Sequence, residues 1–74
     1  MIDSDNAIIR DRMARYLKAT GITMAELSRR TGLCQASVHD YVHGRATPNM
    51  TALRKLVIGT GMPADWWIGT VAGR

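Results

Sequence analysis

TMAELSRRTGLCQASVHDYV, residues 23–42, sets the organisation of this chain. Thr23 is followed three residues on by Glu26, a capping-box spacing. The Thr hydroxyl is expected to accept from the Glu26 N–H while the Glu side chain reaches back. Leu27 then points inward, and Ser28 leaves room for a second helix to cross closely. Gly32 ends this first helix, where a left-handed backbone position favours glycine. Leu33 plugs the turn, Cys34 takes the next N-cap, and residues 35–43 form a second helix. On that helix Val38, Tyr41 and Val42 recur at the three-to-four spacing of one buried face. The opposite face carries Gln35, Ala36, His39 and Asp40, short or polar side chains that suit base edges.

Upstream, Asp3, Ser4 or Asp5 caps an opening helix that runs to about Ala19. Its inward stripe is Ile9, Met13, Tyr16 and Leu17, with Arg10, Asp11, Arg12, Arg15 and Lys18 assigned to water. Thr20 and Gly21 stop it, and Ile22 staples the helix that follows. Downstream, residues 43–48 (HGRATP) form a loop in which Gly44 caps the preceding helix and Pro48 delays the next. Asn49 caps a fourth helix, from Met50 to about Gly59, whose core face is Met50, Leu53, Leu56 and Val57. Gly59 and Thr60 weaken its end, which is expected to fray before Gly61. Pro63 presets a last short helix over 64–68, and residues 69–74 form a tail. The expected architecture is all-α: one domain over residues 1–74, five helices, an ordered core of about 5–69, and a helix-turn-helix at helices two and three.

At this point the chain resembles the phage-repressor type of helix-turn-helix protein, the family of the Cro and lambda repressors, also called Xre-like. The resemblance rests on GITMAELSRRTGLCQASVHDYVHGRATPNMTALRKL (21–56) followed by MPADWWIG (62–69), and it covers roughly residues 9–69. It implies a five-helix domain that binds double-stranded operator DNA, usually as a homodimer, and regulates transcription. In such repressors a glutamine at the position of Gln35 reads adenine through its paired amide donor and acceptor. Ala36 would touch a thymine methyl, Ser37 a phosphate or a base, and His39 and Asp40 lie a turn deeper. Asp40 either accepts from a cytosine amino group or holds Arg45 or His43, and the second role is favoured because phosphates repel a carboxylate. The loop grips the DNA backbone, chiefly through Arg45, with Thr47, Asn49 and His43 behind it. Thr23 and Met24 add contacts at the start of helix two. Trp67 matches a buried leucine of the family. Trp66, Ile68 and Val71 make an apolar group at the end through which relatives dimerise.

Two departures stand out. Met24 occupies a position where many relatives carry a glutamine that binds phosphate and braces the reading helix; methionine does so only through its N–H. Cys34 replaces the usual Ser or Thr cap. Sulfur accepts hydrogen bonds poorly, so Cys34 reads as a plain cap substitute. A thiol at a helix start also has a depressed pKa, which leaves a redox switch at the same place as the alternative.

Composition narrows the remaining classes. Seventy-four residues make one small domain, and a single cysteine excludes a disulfide framework. A net charge of +4 favours polyanionic partners. No apolar run approaches the ~20 residues of a membrane span, and MIDSDNAIIR lacks a signal-peptide pattern, so a cytoplasmic location is expected. His39 and His43 have metal-ligand spacing but lack a convincing third ligand, and no nucleophile has a partnered base. The chain reads as cofactor-free and non-enzymatic. The rival reading is an antitoxin-type module that binds a protein partner and regulates its own synthesis.

Overall fold

The computed structural model describes residues 5–69. Five helices follow one another: α1 (Asp5–Thr20), α2 (Met24–Thr31), α3 (Gln35–Val42), α4 (Met50–Thr60) and α5 (Ala64–Ile68). Local chemistry sets most of their ends. Thr23 Oγ1 accepts from the Glu26 N–H at 3.1 Å, and Asn49 Oδ1 accepts from the Ala52 N–H at 2.8 Å. Gly32 and Gly61 cap α2 and α4 at positive φ, donating to the carbonyls of Ser28 and Val57. α3 closes one residue earlier than expected. His43 is its cap, Gly44 follows at positive φ, and the Arg45 N–H returns to the Asp40 carbonyl at 2.8 Å.

α1 packs on α3 and α5, α2 on α3 and α4, and α4 on α5. Met13, Leu27, Val38, Leu56 and Trp67 are fully buried where these helices meet, with Ile9, Tyr16, Leu33, Tyr41 and Ala52 around them. Ile22 and Met24 seat the start of α2 against this core. Burial of a Leu or Val of this kind stabilises by roughly 1.5–3 kcal/mol. Exposed ion pairs such as Asp11–Arg15 contribute far less, so the core and not the charged surface holds the helices.

Four expectations need correction. Met50 is 69% exposed. The buried stripe of α4 is Ala52, Leu53, Leu56 and Val57, and at 3.6 residues per turn Met50 lies about 90° from its centre. Arg12, assigned to water, is only 6% exposed. It sits on the inward face between Ile9 and Met13, and its Nε donates to the Trp66 carbonyl of α5 at 2.8 Å. Its guanidinium lies 5.6 Å from the centroid of the Trp66 ring, and Nη1 pairs with Asp11 at 2.6 Å. The capping box is only half formed, because the Glu26 carboxylate accepts from Arg29 and Arg30 instead of returning to Thr23. Charge-assisted bonds at i+3 and i+4 outcompete a neutral backbone N–H.

The fourth concerns the end of α4, which does not fray early: the helix continues through Thr60. Gly59 lies against the last turn of α2. A Cβ there would fall 2.6 Å from the Arg30 carbonyl oxygen and 2.7 Å from the Thr31 Cα. The glycine is the contact point between two helices. Asp3, Ser4 and Val71 lie outside the described residues.

Candidate nucleic-acid interface

α3 presents Gln35 and Ala36 to solvent in its first turn and His39 one turn on. Val38 and Tyr41 anchor the helix from behind, so its outward face is fixed by its buried one. Ser37 and Asp40 are half-buried at the edge of that face. Of the five positions expected to meet bases, Gln35, Ala36 and His39 thus face outward, with Ser37 and Asp40 at the margins.

Cys34 caps α3 without a side-chain cap hydrogen bond. Its Sγ lies 3.1 Å from Ser37 Oγ. That hydrogen bond, helped by the backbone N–H groups of Ser37 and Ala36, holds the exposed thiol below its ordinary pKa. Burial pushes the Tyr41 phenol up. On α2 the Arg29 and Arg30 guanidinium groups hold the Glu26 carboxyl below the usual carboxylate range.

Two hollows flank the start of α3. One, of about 330 Å³, is lined by Thr23, Ala25, Glu26, Ser28, Arg29 and Gln35. The other, of about 380 Å³, lies between α3 and α4, with Cys34 and Ser37 on one wall and Asn49, Thr51 and Lys55 on the other. Thr23 and Asn49, both expected near phosphates, therefore stand on opposite sides of Gln35. The sequence reading did not single out Thr51 and Lys55. Their polar positions on helix four were visible, but the crossing that sets this helix beside the start of α3 was not.

The other expected phosphate positions are more dispersed. Arg45 and His43 are exposed at the end of α3. The His43 ring folds back, its Nδ1 2.8 Å from the His39 carbonyl and its centroid 4.1 Å from that of His39. Asp40 holds neither Arg45 nor His43 through its carboxylate. Among the described residues the ion pairs join Asp11 to Arg12 and Arg15, and Glu26 to Arg29 and Arg30. Asp40 engages Arg45 only through its backbone carbonyl. Thr47 borders a different hollow, between α1, α4 and α5, with Ile8, Pro48 and Ile68. Met24 is half-buried against the core.

At the far end Trp67 is buried, Trp66 is half-buried beneath Arg12, and Ile68 is 48% exposed. Among the described residues no helix is long and apolar enough to cross a membrane, and no three His, Cys, Asp or Glu side chains are placed to hold a metal ion.

Five helices around one core, with an anchored second helix of the pair presenting polar side chains outward, define a helix-turn-helix DNA-binding domain. A family model described as helix-turn-helix matches residues 13–67, and the chain belongs to that family, the Xre or lambda-repressor-like DNA-binding transcription regulators. No curated protein and no solved structure matches it significantly.

Proposed function

We propose that this chain is a sequence-specific repressor that acts by occupying an operator as a homodimer, without enzymatic activity, on cytoplasmic DNA. The observation that carries the reading is the exposure of Gln35 and Ala36 on the first turn of α3, between two hollows that hold Thr23 on one side and Asn49 on the other. The start of α3 enters the major groove, and the flanking groups meet the two phosphate walls. Gln35 pairs with adenine at two points, Ala36 meets a thymine methyl, and Arg45 grips the backbone past the helix. Occupancy of two half-sites then blocks polymerase.

Reading and gripping separate experimentally. A bidentate amide–adenine contact discriminates by roughly 1–3 kcal/mol. Gln35→Ala is expected to weaken the best operator and blunt the preference at one base pair per half-site, with scrambled duplex hardly affected. Arg45→Ala is expected to weaken operator and scrambled duplex alike and to lower the salt slope by about 0.9 per domain. Salt titrations of both variants on both duplexes make the measurement. Altered base preference in Arg45→Ala, with preference intact in Gln35→Ala, would show that the chain docks in another orientation.

A further inference from the structure

The hollow between α3 and α4, which holds Asn49, also carries Lys55 and Thr51, to which the proposed function gives no role. Lys55 stands on its α4 wall with Thr51 and Asn49, opposite Cys34 and Ser37. No carboxylate lines it, whereas the hollow on the other side of Gln35 contains Glu26. Lys55 is exposed and joins no ion pair among the described residues. Asn49 commits its Oδ1 to the Ala52 N–H, which leaves its amide nitrogen as a donor. The hollow therefore offers an ammonium, an amide donor and the hydroxyls of Thr51 and Ser37, with no carboxylate to repel an anion.

We infer that this hollow seats a DNA backbone phosphate, and that Lys55, with Thr51 and Asn49, grips the strand flanking the start of α3. The inference rests on the operator-binding reading. A helix that enters a major groove about 12 Å wide has a phosphate strand on each side. Arg45 serves the end of the helix, and Lys55 serves its beginning. The flexible lysine stem carries the charge to the mouth of the hollow as a point charge, without the geometric demands of a guanidinium. Such a contact adds affinity without sequence preference.

The test compares Lys55→Gln with Arg54→Gln, a neighbouring exposed charge on α4 that does not line the hollow. Both sites are exposed, so both variants keep the core. Binding to operator and to scrambled duplex is titrated against salt. Lys55→Gln is expected to lose affinity for both duplexes and to lower the salt slope by about 0.9 per domain, so that the advantage of the unaltered protein shrinks about 3.5-fold between 50 and 200 mM salt. Arg54→Gln is expected to keep the full slope. Bound duplex is also expected to slow alkylation of Cys34 by iodoacetamide, because the phosphate closes the hollow. If the unaltered protein binds duplex while Lys55→Gln keeps its slope, or Cys34 alkylates as fast with duplex as without, this inference is overturned and the operator reading stands. If the unaltered protein binds no duplex, the operator reading falls and takes the inference with it.

Discussion

Cys34 lies beside the side chain that matters most for the proposed recognition, and it caps α3 poorly. Serine would place an oxygen where sulfur makes no cap bond, and oxygen accepts a backbone N–H far better. Cys34→Ser is therefore expected to leave the melting temperature equal or slightly higher, read by thermal unfolding, and to leave operator affinity in reductant unchanged. The thiol pKa is lowered, but the hydrogen bond to Ser37 that lowers it is a local contact. Oxidant is accordingly expected to leave binding intact in both proteins; loss of binding in the unaltered protein alone would establish a redox switch. At this scale legibility depended on whether a side chain answered to its own helix or to another. The Thr23 and Asn49 caps were readable because their partners lie three residues away. Arg12 was misread because its partner, the Trp66 carbonyl, lies 54 residues on. Glu26 and Asp40 were misread because each had several plausible local partners, and charge patterns do not rank them.

Between elements, Gly59 shows what a pattern of apolar residues leaves out. A glycine in a helix interior costs about 1 kcal/mol relative to alanine, and this is why the sequence suggested a weak end to α4. In the fold that glycine lets α4 touch the backbone of α2. An added methyl meets a carbonyl oxygen and a Cα, neither of which can swing aside as a side-chain tip would. Overpacking of this kind costs typically 1–3 kcal/mol, enough to cancel or exceed the gain in helix propensity. Gly59→Ala is expected to destabilise the domain by about 1–2 kcal/mol in urea unfolding, a large fraction of what a chain this short can lose. Stabilisation by about 1 kcal/mol would mean that α2 and α4 stand further apart than described. The helices themselves were legible because Gly32, Gly61 and Pro63 mark their limits by backbone preference alone. Their crossings were not, because a crossing is a property of two segments distant in sequence. The same gap hid Lys55, whose partners across the hollow come from α3 and the turn before it.

For the whole molecule, size constrains how two copies meet in the proposed dimer. The domain extends 34 × 24 × 23 Å. Reading helices on two half-sites lie ~34 Å apart, one duplex turn. Bodies of these dimensions at that spacing touch through a small patch, so the proposed dimer depends on DNA to hold its partners together. Three large apolar side chains are exposed among the described residues: Met50, Ile58 and Ile68. Met50 and Ile58 lie on α4, while Ile68 lies on α5 and borders a hollow with Ile8 and Trp67, so only the last stands at the end proposed for dimerisation. Sedimentation is expected to find mainly monomer in dilute free protein and two copies per symmetric operator at saturation. Ile68→Lys places a charge in the proposed contact and is expected to abolish cooperative filling of the two half-sites while leaving affinity for an isolated half-site unchanged. Ile58→Lys, at a more exposed position on α4, is expected to keep cooperativity. One copy per symmetric operator at saturating protein would rule out the dimer. Lost cooperativity in Ile58→Lys, with Ile68→Lys unaffected, would move the contact to α4 and with it the two-fold axis that relates the reading helices.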